Sequence, residues 1–179
     1  RRRQQWRERQ GAIGFDRPEG RFRRLEDGPA LQVIEPTAAR RMVSEAMLLM
    51  GAVVADFGVR HDLALPFRSQ PPAELPSPAE LQALPEGPAR DAAIKRCLSR
   101  GVQGTTPPPH FSLGLASYVQ ATSPIRRYAD LLSHRQLIAN LEGQTPLDKD
   151  RIGELIGDLD SPLRQGIQIS REAQRHWQQ

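Results

Sequence analysis

Seven prolines fall between residues 66 and 88, at positions 66, 71, 72, 76, 78, 85 and 88, out of 16 in a chain of 179 residues. Proline fixes φ and has no amide proton, so no long helix or central strand can run through this stretch. Much of the backbone must therefore lie in turns and extended loops. One reading of residues 66–88 is a linker between domains. The other is two extended segments around a short helix, and local chemistry favours it. Ser77-Pro78-Ala79-Glu80-Leu81 offers a cap residue, a proline in the first turn and an early acid. A further helix is expected over Gly87 to Leu98, then a loop from Gly101 to Pro109 stiffened by Pro107-Pro108-Pro109.

Before the proline stretch the pattern changes twice. Residues 1–10 are polar with one Trp, which suits an exposed helix ended by Gly11. Ala12 to Phe15, Arg21 to Leu25 and Leu31 to Ile34 read as short strands, with turn residues at 16–20 and 26–29. Together they predict a small antiparallel meander. Pro36-Thr37 then opens a helix to about Phe57, stopped by Gly58. Val43, Met47, Met50 and Val54 share one helical face, and Ala46, Leu49 and Val53 widen it, so a well-buried helix is expected. Towards the C-terminus, one helix is expected from Ser123-Pro124 to about Leu141 and another from Ser161-Pro162 towards Trp177. A short helix around Asp150 to Leu159 lies between them. The fold class is α+β, with antiparallel strands and several helices.

Charge is uneven. Residues 1–24 hold nine Arg against three acids, whereas residues 25–179 hold 16 basic and 18 acidic side chains. The N-terminal excess could bind phosphates, or it could be a solvated helix face. Cys97 is the only cysteine, so neither an internal disulfide nor a cysteine-based zinc site can form. A reducing, cytoplasmic setting is expected. The longest apolar run, Ala46 to Ala55, is too short to span a bilayer, and no secretory signal follows Arg1-Arg2-Arg3, so no membrane partner is expected. The chain opens without an initiator Met, as a piece of a longer protein would.

The segment richest in chemistry is Ala121-Thr-Ser-Pro-Ile-Arg-Arg-Tyr-Ala-Asp-Leu-Leu-Ser-His-Arg-Gln-Leu137. Ser123 suits an N-cap and Pro124 the first helical position. A helix N-terminus presents free amides and partial positive charge, which favour an anion. Arg126 and Arg127 would add two guanidinium forks in the same turn. Cations are normally disfavoured there, so two in succession suggest an anion to be held. Asp130 can orient either Arg from i+3 or i+4, and His134 extends the polar stripe. The bland alternative is an amphipathic helix whose arginines pair with local acids.

This segment, with Tyr118 three residues before Ala121, resembles the signature of the ribonuclease II/ribonuclease R family. Four other stretches resemble the family in the same order: Gly11 to Glu19, Met42 to Leu49, Pro109 to Leu115 and Arg164 to Trp177. The resemblance covers nearly the whole chain. It implies the C-terminal part of the family's catalytic domain, with residues 1–35 a strand meander, 36–142 helices and the Pro-rich loop, and 143–179 closing helices. It implies a hydrolytic 3′→5′ exoribonuclease that degrades single-stranded RNA to nucleoside 5′-monophosphates. Arg126 would be the catalytic electrophile that stabilises charge on the phosphoryl oxygens. Arg127 would hold a neighbouring phosphate, and Phe15 would stack on 3′-terminal bases. Ser44, Glu45, Ser123 and Tyr128 are carried over as RNA contacts.

Two departures stand out. The family has two adjacent Glu where this chain has Ser44-Glu45, and the first contacts the terminal ribose. Neighbouring helical residues point about 100° apart, so Glu45 cannot replace Ser44. The family also has Ala-Asn where Met50-Gly51 stands here, and a mid-helix Gly suggests a close backbone approach. The resemblance implies Mg²⁺, yet its aspartate cluster has no counterpart in this sequence. Asp148/Asp150 and Asp158/Asp160 read as solvated. The chain alone is thus expected to be inactive. His110 reads as a solvated or locally bonded loop residue, His61 and His176 lack metal spacing, and Trp6 and Trp177 as packing residues. A non-catalytic RNA-binding module that has lost the aspartates is the alternative. A protein-interaction domain using residues 66–88 is another.

Overall fold

Ser77 begins the short helix that breaks up the proline stretch. In the computed structural model, which describes residues 2–15, 18–25 and 28–176, its hydroxyl accepts from the Glu80 amide at 3.3 Å. The Glu80 carboxylate in turn accepts from the Ser77 amide at 2.8 Å. This reciprocal pair is a capping box. It starts α3 (Pro78–Gln82), and α4 (Pro88–Cys97) follows with its proline in the first turn.

Residues 2–9 form α1 (Arg2–Arg9). β1 (Glu19–Leu25) and β2 (Gly28–Ile34) pair antiparallel, with Glu19 opposite Ile34 and Leu25 opposite Gly28. Turn residues 16, 17, 26 and 27, and Trp177, lie outside the described residues. The expected third strand, Ala12 to Phe15, does not form. Gly11 turns the chain at φ +84°, and the Ile13 amide then bonds Ser112 O at 2.9 Å rather than the hairpin. A two-stranded hairpin therefore replaces the meander.

Thr37 caps α2 (Ala38–Arg60) by accepting from the Arg40 amide. The helix runs past Gly58, because that glycine is a contact point and not a stop: a Cβ there would run into the Leu65 side chain. The chain reverses only at His61–Asp62. The expectation of a well-buried helix fails for its first half. Gly51, Val54, Ala55 and Gly58 are buried, but Met42 and Val43 are 69% and 54% exposed, and Met47 and Met50 are also open. The reason is where the core sits. Val54 and Ala55 pack with Leu63, Leu65, Phe67, Val119 and Ala121, all met by the helix's C-terminal half. Counting only the uninterrupted apolar run also understated α2, which by length and composition is long and apolar enough to cross a membrane.

β3 (Phe67–Ser69) pairs antiparallel with β4 (Val102–Gly104), a strand within the stretch expected to be loop. α5 (Tyr128–Leu141) and α6 (Lys149–His176) complete the described chain. A second small core joins Ala64, Leu132 and Ile152. Gln136, almost fully buried, bonds Ala64 O, Leu147 O and the Leu147 amide, so it stitches two loops to α5. The two helices expected on either side of Ser161-Pro162 are one. Pro162 removes one amide donor, a defect of about 3 kcal/mol that lies inside 28 helical residues. Asp148, expected to be merely solvated, accepts from the Arg151 amide at 2.7 Å and caps α6.

Candidate phosphate-binding site

The residue before a proline is pushed out of helical conformation, and Ser123 precedes Pro124. α5 accordingly begins at Tyr128, with Arg127 as its cap residue at φ −126°, ψ 115°, so Ser123 is not the N-cap. Residues 123–127 instead form a tight turn in which Ser123 O accepts from the Arg126 and Arg127 amides. Asp130 explains the shift. Its carboxylate is fully buried and accepts from the Ser123 amide at 2.8 Å and from Arg127 Nη2 at 2.7 Å. Arg127 Nη2 also donates to Thr122 Oγ1.

Two more α5 side chains hold the same segment. Ser133 Oγ donates to Ala129 O at 2.9 Å and reaches Gln120 O at 3.4 Å, and His134 Nε2 lies 2.6 Å from Ala121 O. His134 therefore anchors the backbone rather than extending a polar stripe. Residues 120–123 are thus tied by three side chains of one helix, and the turn that follows is presented to solvent. Ile125 is fully exposed, and Arg126 beside it is exposed. The Arg126 guanidinium makes no hydrogen bond or ion pair with any of the described residues. With Arg127 neutralised by Asp130, the turn carries one uncompensated guanidinium beside the free amides of the first turn of α5.

Behind the turn, Tyr118 and His110 are both buried and meet edge to face, with ring centroids 6.0 Å apart. Burial raises the Tyr118 pKa, while Arg127 and Arg68 oppose that rise. Burial, then the Arg68 charge, lowers the His110 pKa to about 4, so its ring is neutral near pH 7. His110 is thus not the solvated loop residue the sequence suggested. Gly51 does mark a close approach. The Val119 amide donates to Gly51 O at 3.2 Å, and a Cβ at Gly51 would overlap the Tyr118 ring and sit 2.5 Å from Val119 O.

The other residues singled out by sequence gather elsewhere. Phe15, Ser44 and Glu45 line a cavity of about 370 Å³ with Arg7, Arg40 and Arg41, and no residue of the Ser123–Tyr128 turn lines it. Ser44 is exposed to this cavity. The Glu45 carboxylate is engaged by Arg7 through both Nε and Nη2, and Arg7 Nη1 donates to Leu113 O at 3.1 Å. Lys95 Nζ sits 4.5 Å from the centre of the Phe15 ring. Sequence reasoning missed Arg7 and Lys95, since each meets its partner from a distant segment. Tyr128 is 44% exposed at the start of α5. Trp6 carries Arg3 over its ring, and His61 stacks on Phe57. Among the described residues no group of three or more His, Cys, Asp or Glu could hold a metal ion.

The chain matches the RNB domain family over residues 1–143. It is 40% identical over 177 residues to an uncharacterised ribonuclease of Synechocystis, covering 98% of this chain and 27% of that protein. It is 34% identical over 184 residues to the chloroplastic/mitochondrial ribonuclease II of Arabidopsis thaliana, covering 98% of this chain and 23% of that protein. The chain thus spans about a quarter of the length of these curated relatives. Among solved structures it resembles Mycoplasma genitalium RNase R in complex with ribose-methylated single-stranded RNA. The TM-score is 0.77 at 22% identity, over 98% of this chain and 34% of that one, which shows the shared fold.

Proposed function

The chain belongs to the RNB domain family, and on that footing we propose that it is the phosphate-gripping part of a hydrolytic 3′→5′ exoribonuclease acting on single-stranded RNA. The observation that carries this reading is the pair of adjacent arginines with opposite fates. Arg127 is locked to buried Asp130, while Arg126 is exposed and unpartnered among the described residues, on a backbone that α5 holds still. A fixed backbone with one free guanidinium suits a preorganised donor for charge that develops during reaction.

In hydrolysis to nucleoside 5′-monophosphates, water forms a bond to phosphorus, the bond to the 3′-oxygen breaks, and that oxygen takes a proton. Negative charge grows on the non-bridging oxygens, where Arg126 acts. Arg127, fixed by Asp130 and Thr122, faces a neighbouring phosphate. Ser123 and Tyr128 border the same turn. In the second cavity Phe15 offers a ring to the terminal bases and Ser44 a hydroxyl to the sugar, while Glu45 serves to fix Arg7. The family resemblance implies Mg²⁺, but the described residues do not compose a site for it. On this reading the chain alone is inactive, and the protein resides in the cytoplasm.

The test is Arg126→Ala in the full-length protein. Turnover on a single-stranded oligonucleotide should fall by about 10²–10³, with RNA affinity little changed because one phosphate contact is a small part of binding. Equal turnover in variant and parent would remove Arg126 from the reaction.

A further inference from the structure

A second cleft, of about 560 Å³, runs between the β3–β4 pair and α6 and shares no lining residue with the Phe15 cavity. Three arginines line it: Arg68 of β3, Arg100 just before β4, and Arg164 of α6. No acidic residue is among its described lining residues. Apart from Gln103 and two glycines its remaining wall is aliphatic, with Val102, Leu163 and Ile167 all substantially exposed. Arg68 and Arg100 bring two positive charges to an open apolar wall, and an anion between them is favoured.

Arg68 connects this cleft to the turn. Its amide donates to Tyr118 O at 2.8 Å, and its Nη1 donates to Gln120 Oε1 at 3.3 Å. Gln120 belongs to the segment that α5 pins before Arg126. Arg68 and Arg127 are both close enough to Tyr118 to shift its titration. At the cleft end, Gly101 makes room for the Arg68 guanidinium: a Cβ there would lie 3.1 Å from Nε and 3.4 Å from Nη2. Arg100 is exposed and has no partner among the described residues.

We propose that this cleft is a second phosphate site, for the backbone of the same single-stranded RNA 5′ of the nucleotides at Arg126 and Arg127. The inference rests on the reading of the protein as one that acts on RNA. The arginines take the phosphates, and the aliphatic wall takes the face of a base or ribose. The cleft reads no sequence, because phosphates are the same at every nucleotide.

The test measures binding of labelled single-stranded RNA by the full-length protein in EDTA, across a range of salt, with a short oligonucleotide that fills only the turn and with a long one. Arg100→Gln combined with Arg164→Gln changes two exposed side chains, so folding is preserved. For the long oligonucleotide the slope of log affinity against log salt should fall by about two. The affinity advantage of long over short RNA should shrink. Arg68→Gln, which removes the remaining guanidinium of the cleft, should lower the slope by about one. An unchanged slope and an unchanged long-to-short ratio in both variants would overturn the second site while leaving the turn's role intact. A parent protein without affinity for RNA of either length would overturn both readings.

Discussion

Around Asp130, the side-chain bonds that shape the turn join residues between 3 and 13 apart in sequence. The Arg7–Glu45 pair spans 38 residues, and the bond from Arg7 to Leu113 spans 106. The two regions therefore assemble under different constraints. Closing a short loop needs little chain entropy, so the turn is complete once α5 exists. The cavity around Phe15 and Ser44 exists only after α1, α2 and the 110–115 loop have docked together. The lesson is that a turn presenting an exposed arginine can be a local device, whereas a pocket lined from three distant segments reports the whole fold.

The largest test of this contrast is Asp130→Ala. It removes a fully buried carboxylate and leaves Arg127 without its partner, which should destabilise the protein by about 3–5 kcal/mol. Equilibrium urea unfolding reads this directly. A loss no greater than that of a surface substitution would mean that the carboxylate does not hold the turn.

Arg7→Met probes the other region. It strips Glu45, whose side chain is 15% exposed, of its partner and should destabilise by about 1.5–3 kcal/mol. Amide hydrogen exchange should quicken at Ile13, whose partner Ser112 adjoins Leu113, and should stay slow at Ser123. Faster exchange at Ser123 as well would show that the two regions are not independent.

A smaller effect concerns acid. His110 lies behind the turn with its pKa lowered to about 4 from 6.5. Above pH 6.5 the ring is neutral whether the protein is folded or not, and its contribution is complete. As pH falls from about 6.5 to about 4 the unfolded chain takes up a proton that the folded one refuses, so stability declines across that window. His110→Phe should flatten this part of the Tm-against-pH curve. An unchanged slope would mean that other groups set the acid response.

The same division governs what could be read from sequence. The Ser77 capping box, the Thr37 start of α2, the β1–β2 hairpin and the close approach at Gly51 each depend on a few neighbouring residues, and each was legible. The family signature located Arg126 and Arg127, but not the fact that only one of them is tied. The start of α5 was misplaced because cap and proline preferences at Ser123 were outweighed by a buried carboxylate seven residues on. Arg7 looked like one more charge in a basic run, since nothing local marks it as the partner of Glu45. The burial of α2 was overstated because periodicity names an apolar face without saying how much of it is covered. Pro162 was read as a boundary, yet α6 continues through it.

Gly51 has one more consequence. Ser44, which lines the cavity, and Gly51, which touches the backbone that leads to the turn, are seven residues apart on α2. That is two helical turns on one side of a rigid rod, about 10 Å along its axis. The spacing between the Phe15 cavity and the segment that carries the guanidiniums is therefore gauged by helical pitch. A loop can lengthen by one residue with little effect, but one residue inserted between 44 and 51 would swing Ser44 by about 100° around the axis. α2 is in this sense the chain's ruler, graduated in whole turns.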